Sequence, residues 1–272
     1  MIPSSFTYKR AGSAEEALDL AAEHGDDAKF LAGGHSLMPL MKLRLAVPDT
    51  LVDIGRIGEL SRIAVSDGHI VIGAMTTHDE IARSDTVAGR VPLLADAAGR
   101  IGDPQVRHCG TIGGSLAHAD PAADLPAVLL ALDATLVARS QAGSREISAS
   151  DFFLGLFETV LAPVELLTEI RIPRPAWAGW SFQKFAKRGI DWAIVGVAVQ
   201  GGNVALVNMG STPVRATATE TALAAGSGPG EAAAHAAEGT SPPADLNAPR
   251  AYREHLARVL TRRALEEAGS RG

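Results

Sequence analysis

One cysteine, Cys109, stands in the whole 272-residue chain. That excludes internal disulfides, thiolate zinc sites and cysteine-ligated iron–sulfur clusters built by this chain alone, so any such centre belongs to a partner. Cys109 itself reads as a small packing residue, because no second cysteine exists to resolve an oxidised thiol. Aromatic residues make up only 4% of the chain, and no basic stripe alternates with them. With 25 Lys and Arg against 31 Asp and Glu the formal net charge is −6, so neither nucleic acid nor an anionic membrane is an expected partner. No apolar run approaches spanning length, and the opening MIPSSFTYKR has no apolar core of signal-peptide length. The expectation is a cytoplasmic protein without membrane insertion. A hydrophobic content of 46% supports a substantial core, in one large domain or two to three smaller ones.

What the chain does have is concentrated between Thr111 and Asp124, TIGGSLAHADPAAD. Gly113 and Gly114 lack a Cβ, so the backbone there is free to take positive φ and to bring N–H groups close to phosphate oxygens. Thr111, Ser115 and His118 add side-chain donors, after what reads as a strand. Asp120 reads as a helix cap with Pro121 in the first helical position, ahead of an apolar run in whose first turn Asp124 sits. A carboxylate repels phosphate but accepts hydrogen bonds from sugar or polyol hydroxyls. The ligand this stretch describes is a phosphate attached to a hydroxylated chain.

A second unit of the same design lies upstream, where a short strand over residues 28–32 runs into Gly33-Gly34-His35-Ser36 and then a helix carrying Pro39. Neither unit matches the GxGxxG fingerprint or the GxxxxGK[ST] phosphate loop. Around them the pattern predicts a helix over 14–24 with a Ser13/Glu16 capping box, a strand over 50–54, and a hairpin turning at Ser66-Asp67-Gly68. Thr77 and Glu80 cap a further helix. A helix over 92–102 ends at Asp103-Pro104, a hairpin crosses Gln141-Ala142-Gly143, a helix spans 152–157 behind Asp151, and a strand closes at Pro173. Prolines and a glycine over 171–179 mark a domain boundary. Beyond it, strands and a helix near 214–225 are followed by an aperiodic, mobile stretch over 226–249 and a final helix over 251–268. The fold class is α+β.

Together, AGGHSL at 32–37, DPQVRHCGTIGGSLAHADPAADLP at 103–126 and the strand-rich closing domain resemble the flavin-binding medium subunit of molybdenum hydroxylases. Within that family the likeness is greatest to the carbon monoxide dehydrogenase type, with xanthine dehydrogenase flavin domains more distant. The resemblance covers nearly the whole chain. It implies a PCMH-like, two-subdomain FAD-binding domain over 1–176, split near 57 and 58, then a smaller α+β domain with an antiparallel sheet over 177–272. It also implies non-covalent FAD on the two glycine turns. By position, Ala32, Gly33, Gly34, His35, Ser36 and Leu37 bind it with Thr111, Gly113, Gly114 and Ser115. Asp124 holds ribityl or ribose hydroxyls, and Ile101, His118, Leu161, Lys187 and Trp192 are flavin neighbours. Ser115 stands where many relatives have Asn or Asp, and the inserted iron–sulfur loop of some thioester-reducing relatives is missing. The implied partners are a large molybdopterin subunit and a small subunit with two [2Fe–2S] clusters, assembled as a dimer of heterotrimers. The implied function is electron transfer from those clusters to an external acceptor.

Other readings compete with this one. A free-standing FAD-dependent oxidoreductase of the same fold would turn over its own substrate, and a flavin-free scaffold would use the glycine turns only to shape loops. His35 and His118 read as turn residues satisfying backbone groups when the resemblance is set aside. Lys184 and Lys187 read as solvated strand charges unless the cleft closes on them, and Met38 and Met41 as packing residues. A Ser115, His118, Asp120 hydrolase fails, because three triad members on one short turn cannot place the base between nucleophile and acid.

Overall fold

The computed structural model describes residues 2–173 and 179–271. The boundary expected at 176 lies outside the described residues. The chain opens with β1 (Thr7–Arg10), α1 (Ala14–His24), β2 (Ala28–Leu31), α2 (Leu37–Lys42) and β3 (Thr50–Asp53), whose strands form a parallel sheet in the order β1-β3-β2. Helix α1 starts where it does because the Ser13 hydroxyl accepts the Glu16 N–H, while the Glu16 carboxylate turns back to the Gly12 N–H at 2.7 Å. Ala14, Ala17, Leu18 and Ala21 recur at helical spacing and are buried in one core with Val52 and Ile54.

The second module comprises β4 (Ile63–Ser66), β5 (His69–Gly73), α3 (His78–Arg83), α4 (Asp85–Arg90), α5 (Pro92–Gly99), α6 (Pro104–Cys109), α7 (Ile112–His118) and α8 (Asp124–Ala131). It continues with β6 (Thr135–Ser140), β7 (Gly143–Ser148), α9 (Ala149–Phe152), β8 (Phe153–Gly155), β9 (Glu158–Thr159) and β10 (Leu166–Pro173). Its antiparallel sheet runs β4-β5-β10-β6-β7. Asp67 and Gly68 both have positive φ, 49° and 78°, the conformation that a two-residue hairpin loop demands. A complete capping box at Thr77 and Glu80 starts α3.

The third module has β11 (Trp180–Phe185), β12 (Val195–Gln200), β13 (Asn203–Val207), β14 (Val214–Arg215), α10 (Thr217–Ala224), α11 (Pro229–Ala234) and α12 (Arg250–Ser270). The four strands form an antiparallel sheet in chain order. Every residue of α8 is buried, and the helix packs on β12 and β13 while sharing one core with Leu136 and Ile170 of the second sheet. A helix apolar all round needs cover on every side, so this one fastens the third module to the second. The other face of the third sheet forms a separate core with α11 and α12. Among the described residues no helix is long and apolar enough to cross a membrane.

Several local expectations fail for physical reasons. Asp103-Pro104 does not end a helix but begins one: the Asp103 carboxylate accepts the Val106 N–H at 2.9 Å and Pro104 opens α6. Thr111 therefore follows a helix, not a strand, and it caps α7, inside which Gly113 and Gly114 lie without positive φ. Asp120 holds a turn by accepting the Ala122 N–H, and the next helix begins at Asp124, beyond the Pro121 start that was expected. The helix expected over 152–157 is not formed: α9 ends at Phe152, β8 follows, and the chain turns at Phe157, φ 57°, into β9. The stretch 226–249 contains α11, and Ala232, Ala233, Ala236 and Ala248 are buried. Small side chains there allow close packing under α12, which an aperiodic composition conceals. Cys109 is exposed rather than packed.

Phe152 is wholly buried and meets Phe153 edge-on at 5.0 Å. Phe152→Ala should cost about 3–5 kcal/mol, read from urea denaturation of the full chain. A loss below about 1 kcal/mol would contradict this placement of the core.

Candidate functional site

A cavity of about 630 Å³ opens where the three modules meet. The first module supplies Ala32, Gly33, Gly34, His35, Ser36 and Leu37 to its wall; the second supplies Ile101, Thr111, Gly113, Gly114, Ser115, His118, Asp124 and Leu161; the third supplies Trp192. Lys187 is the one expected residue that stands apart, in a neighbouring hollow of about 330 Å³ whose wall it shares with Arg100, Lys184 and Arg188.

Gly33 and Gly34 serve different purposes. A Cβ on Gly33 would lie 1.9 Å from the Cys109 carbonyl oxygen, so this glycine permits backbone to meet backbone. Gly34 carries φ 71° and turns the chain into α2. The His35 ring holds the turn through Nδ1, 3.1 Å from the Gly33 carbonyl oxygen. Ser36 stands at the start of α2 and makes no side-chain capping bond among the described residues.

At the second segment the Thr111 hydroxyl accepts the Gly114 N–H at 3.1 Å. Gly113 donates its N–H to Ala74 at 2.8 Å, and a Cβ on it would lie 2.5 Å from the Ala74 Cβ. Gly113 is therefore a packing glycine against the end of β5. A Cβ on Gly114 would lie 2.8 Å from Thr111 Oγ1 and 3.6 Å from the Ala32 Cβ, between the two segments. No hydrogen bond joins Ser115, His118 and Asp120 among the described residues, so no triad forms.

Asp124 and Lys184 form a buried ion pair across the cavity wall, Nζ to Oδ2 at 2.6 Å. Their side chains are 4% and 8% exposed, so Lys184 is not a solvated strand charge. Burial raises the Asp124 pKa, and the Lys184 ammonium, with Arg100 beyond it, opposes the rise. Asp124 Oδ1 has no partner among the described residues, which leaves a buried acceptor idle beside the cavity. His118 lies against Phe157 with ring centroids 5.0 Å apart; burial lowers its pKa and Asp120 opposes the change. Trp192 is exposed at the mouth.

Among the lining residues that the sequence reading did not place in the site, His78 and Lys184 carry titratable side chains. His78 gave no signal beyond following the Thr77 cap. Lys184 did give one, since it alternates in register with Trp180 and Phe182, both of which face the central core.

Comparison with known proteins decides the family. The FAD binding domain of molybdopterin dehydrogenases matches residues 4–175, and the C-terminal domain of the CO dehydrogenase flavoprotein matches residues 180–268. The carbon monoxide dehydrogenase medium chain of Hydrogenophaga pseudoflava is 41% identical over 100% of this chain and 99% of its own length. The chain belongs to the FAD-binding medium subunits of the molybdenum hydroxylases. The 6-hydroxypseudooxynicotine dehydrogenase complex subunit alpha of Paenarthrobacter nicotinovorans is also 41% identical, over 98% of this chain and 96% of its own. The solved carbon monoxide dehydrogenase from Hydrogenophaga pseudoflava superposes with TM-score 0.94 at 41% identity, covering 100% of this chain and 99% of that one.

The cavity suits the cofactor of this medium-subunit family. The buried Asp124 carboxylate, with one oxygen idle, has the chemistry to accept from a hydroxylated chain, and Ile101, Leu161 and Trp192 give the same cavity apolar surface for a flat ring.

His78 makes the stability of this flavoprotein subunit depend on pH. Burial, with His35 and Arg107 nearby, lowers its pKa from 6.5 to about 4. Below pH 6.5 the unfolded chain takes up a proton that the folded chain refuses, so stability is present above about pH 6.5 and falls toward pH 4. The loss should be roughly 3 kcal/mol. Urea denaturation at pH 7.5 and 4.5 should show His78→Gln with a smaller drop than wild type; an equal drop in both would contradict the assignment.

Proposed function

We propose that this chain is the electron outlet of a molybdenum-containing hydroxylase or dehydrogenase. It receives electrons from [2Fe–2S] clusters of a small partner subunit and passes them to an external acceptor, while substrate is oxidised on a large molybdopterin subunit. The observation that carries the reading is the composition of the cavity. Its polar groups are disposed as a cradle, with Asp124 neutralised by Lys184 and, among the described residues, no hydrogen-bonded nucleophile, base and acid for substrate chemistry. When bound, FAD supplies a centre able to exchange electrons one or two at a time. In this proposal Gly33, Gly34 and Gly114, with Ser36 and Thr111, flank its phosphates, Asp124 Oδ1 accepts from its hydroxyls, and Trp192 and Ile101 shield its ring from water.

Exposed Leu154, Leu156 and Phe157, the last beside His118, form an apolar rim near the cavity and support docking of the small subunit there. A dimer of heterotrimers follows from the family resemblance, and residues 1–176 and 177–272 are the proposed domain division. The substrate is not written in this chain, since relatives of equal identity are named for carbon monoxide and for 6-hydroxypseudooxynicotine.

The purified chain should be yellow, release all its flavin on acid precipitation, and stay oxidised anaerobically with carbon monoxide, N-heterocycles or aldehydes. Mixed with a molybdenum and iron–sulfur subunit pair, it should restore substrate-dependent dye reduction. Bleaching of the isolated chain by any of these substrates would favour a free-standing oxidoreductase and overturn the proposal.

A further inference from the structure

The imidazole of His78 stands where the two glycine segments meet. It is 5% exposed, lines the cavity, and its Cδ2–Nε2 edge passes so near Gly110 that a Cβ there would lie 2.9 Å from Cδ2 and 3.0 Å from Nε2. Gly110 in turn touches the first segment, since a Cβ on Gly33 would come within 3.1 Å of its Cα. Nδ1 is buried and has no hydrogen-bond partner among the described residues, whereas Nε2, on the ring edge beside Gly110 in the cavity wall, is not such a buried orphan. A buried N–H without an acceptor is rarer than an idle lone pair, so the proton belongs on Nε2.

The surroundings favour an anion as its acceptor. Arg107 from α6 acts on His78 as a positive neighbour. Arg107 donates to the Ile101 and Gly102 carbonyls and has no carboxylate partner among the described residues. The nearby carboxylates on α3 are engaged elsewhere, Asp79 with Arg83 and His108, and Glu80 with the Thr77 cap.

We propose that His78 is a cofactor-binding residue that donates a hydrogen bond from Nε2 to a phosphate oxygen of the bound dinucleotide. The proposal rests on the flavin reading of the cavity and adds a residue to it. His78 serves as the donor, while Arg107 supplies the positive potential. The missing Cβ of Gly110 is what lets the ring edge reach the cavity.

The test is titration of FAD, ADP and riboflavin into the full-length chain stripped of flavin, followed by fluorescence or calorimetry. His78→Leu should weaken FAD and ADP by about 10- to 100-fold, the loss of one hydrogen bond to a charged acceptor, and leave riboflavin, which lacks phosphate, unchanged. His78→Gln, which keeps an N–H donor at similar reach, should recover most of the affinity. Unimpaired FAD binding by His78→Leu beside a normal wild type overturns the proposal alone, as does equal loss of riboflavin or failure of His78→Gln to recover. A wild-type chain that binds none of the three overturns the flavin reading and the proposal with it. Should His78→Leu fail to fold, ¹⁵N NMR of the wild-type imidazole gives the same decision. A proton on Nε2 that shifts on addition of ADP supports the assignment, and a proton on Nδ1 overturns it.

Discussion

At Gly33 backbone meets backbone, and an added Cβ would lie 1.9 Å from the Cys109 carbonyl oxygen. That contact joins the first module to the loop ahead of Thr111. Gly113 does the same between α7 and the end of β5, where a Cβ would lie 2.5 Å from that of Ala74. Side chains at either position would hold the backbones apart, and the cavity floor would lose its shape. Of the four glycines in the two segments only Gly34 needs its positive φ; the others are required by proximity.

The third module completes the cavity through one ion pair. Lys184 reaches from β11 to Asp124 in the first turn of α8, the helix packed between the second and third modules. Burying two charges costs several kcal/mol per ion before their attraction is counted, so such a pair is better evidence of positioning than of stability. Here it fixes one carboxylate oxygen and leaves the other buried without a partner among the described residues, in a side chain of the cavity wall. Packing, electrostatics and ligand chemistry meet at that single side chain.

Much of this was legible in the sequence where the signal is local. Ser13 and Thr77 announce their helices, and Asp67-Gly68 announces its hairpin, because caps and tight turns are decided by neighbours within four residues. The glycine pair at 113–114 misleads for the opposite reason: Gly113 has its meaning in distant Ala74 and Gly114 in Thr111 and distant Ala32, and Asp103-Pro104 upstream reads equally well as a stop or a start. Lys184 and Lys187 are alike in composition, yet one lies on the inward face of β11 and the other beyond its end. His78 had no local signal at all, since only the approach of Gly110 gives it a place in the cavity wall.

The central claim is that one FAD is gripped by all three modules at once. Hydrogen–deuterium exchange of the full-length chain, with and without FAD, tests it directly. Binding should slow exchange together over residues 32–37, 111–118 and 184–192; protection confined to one module, or absent from all three, would contradict the account.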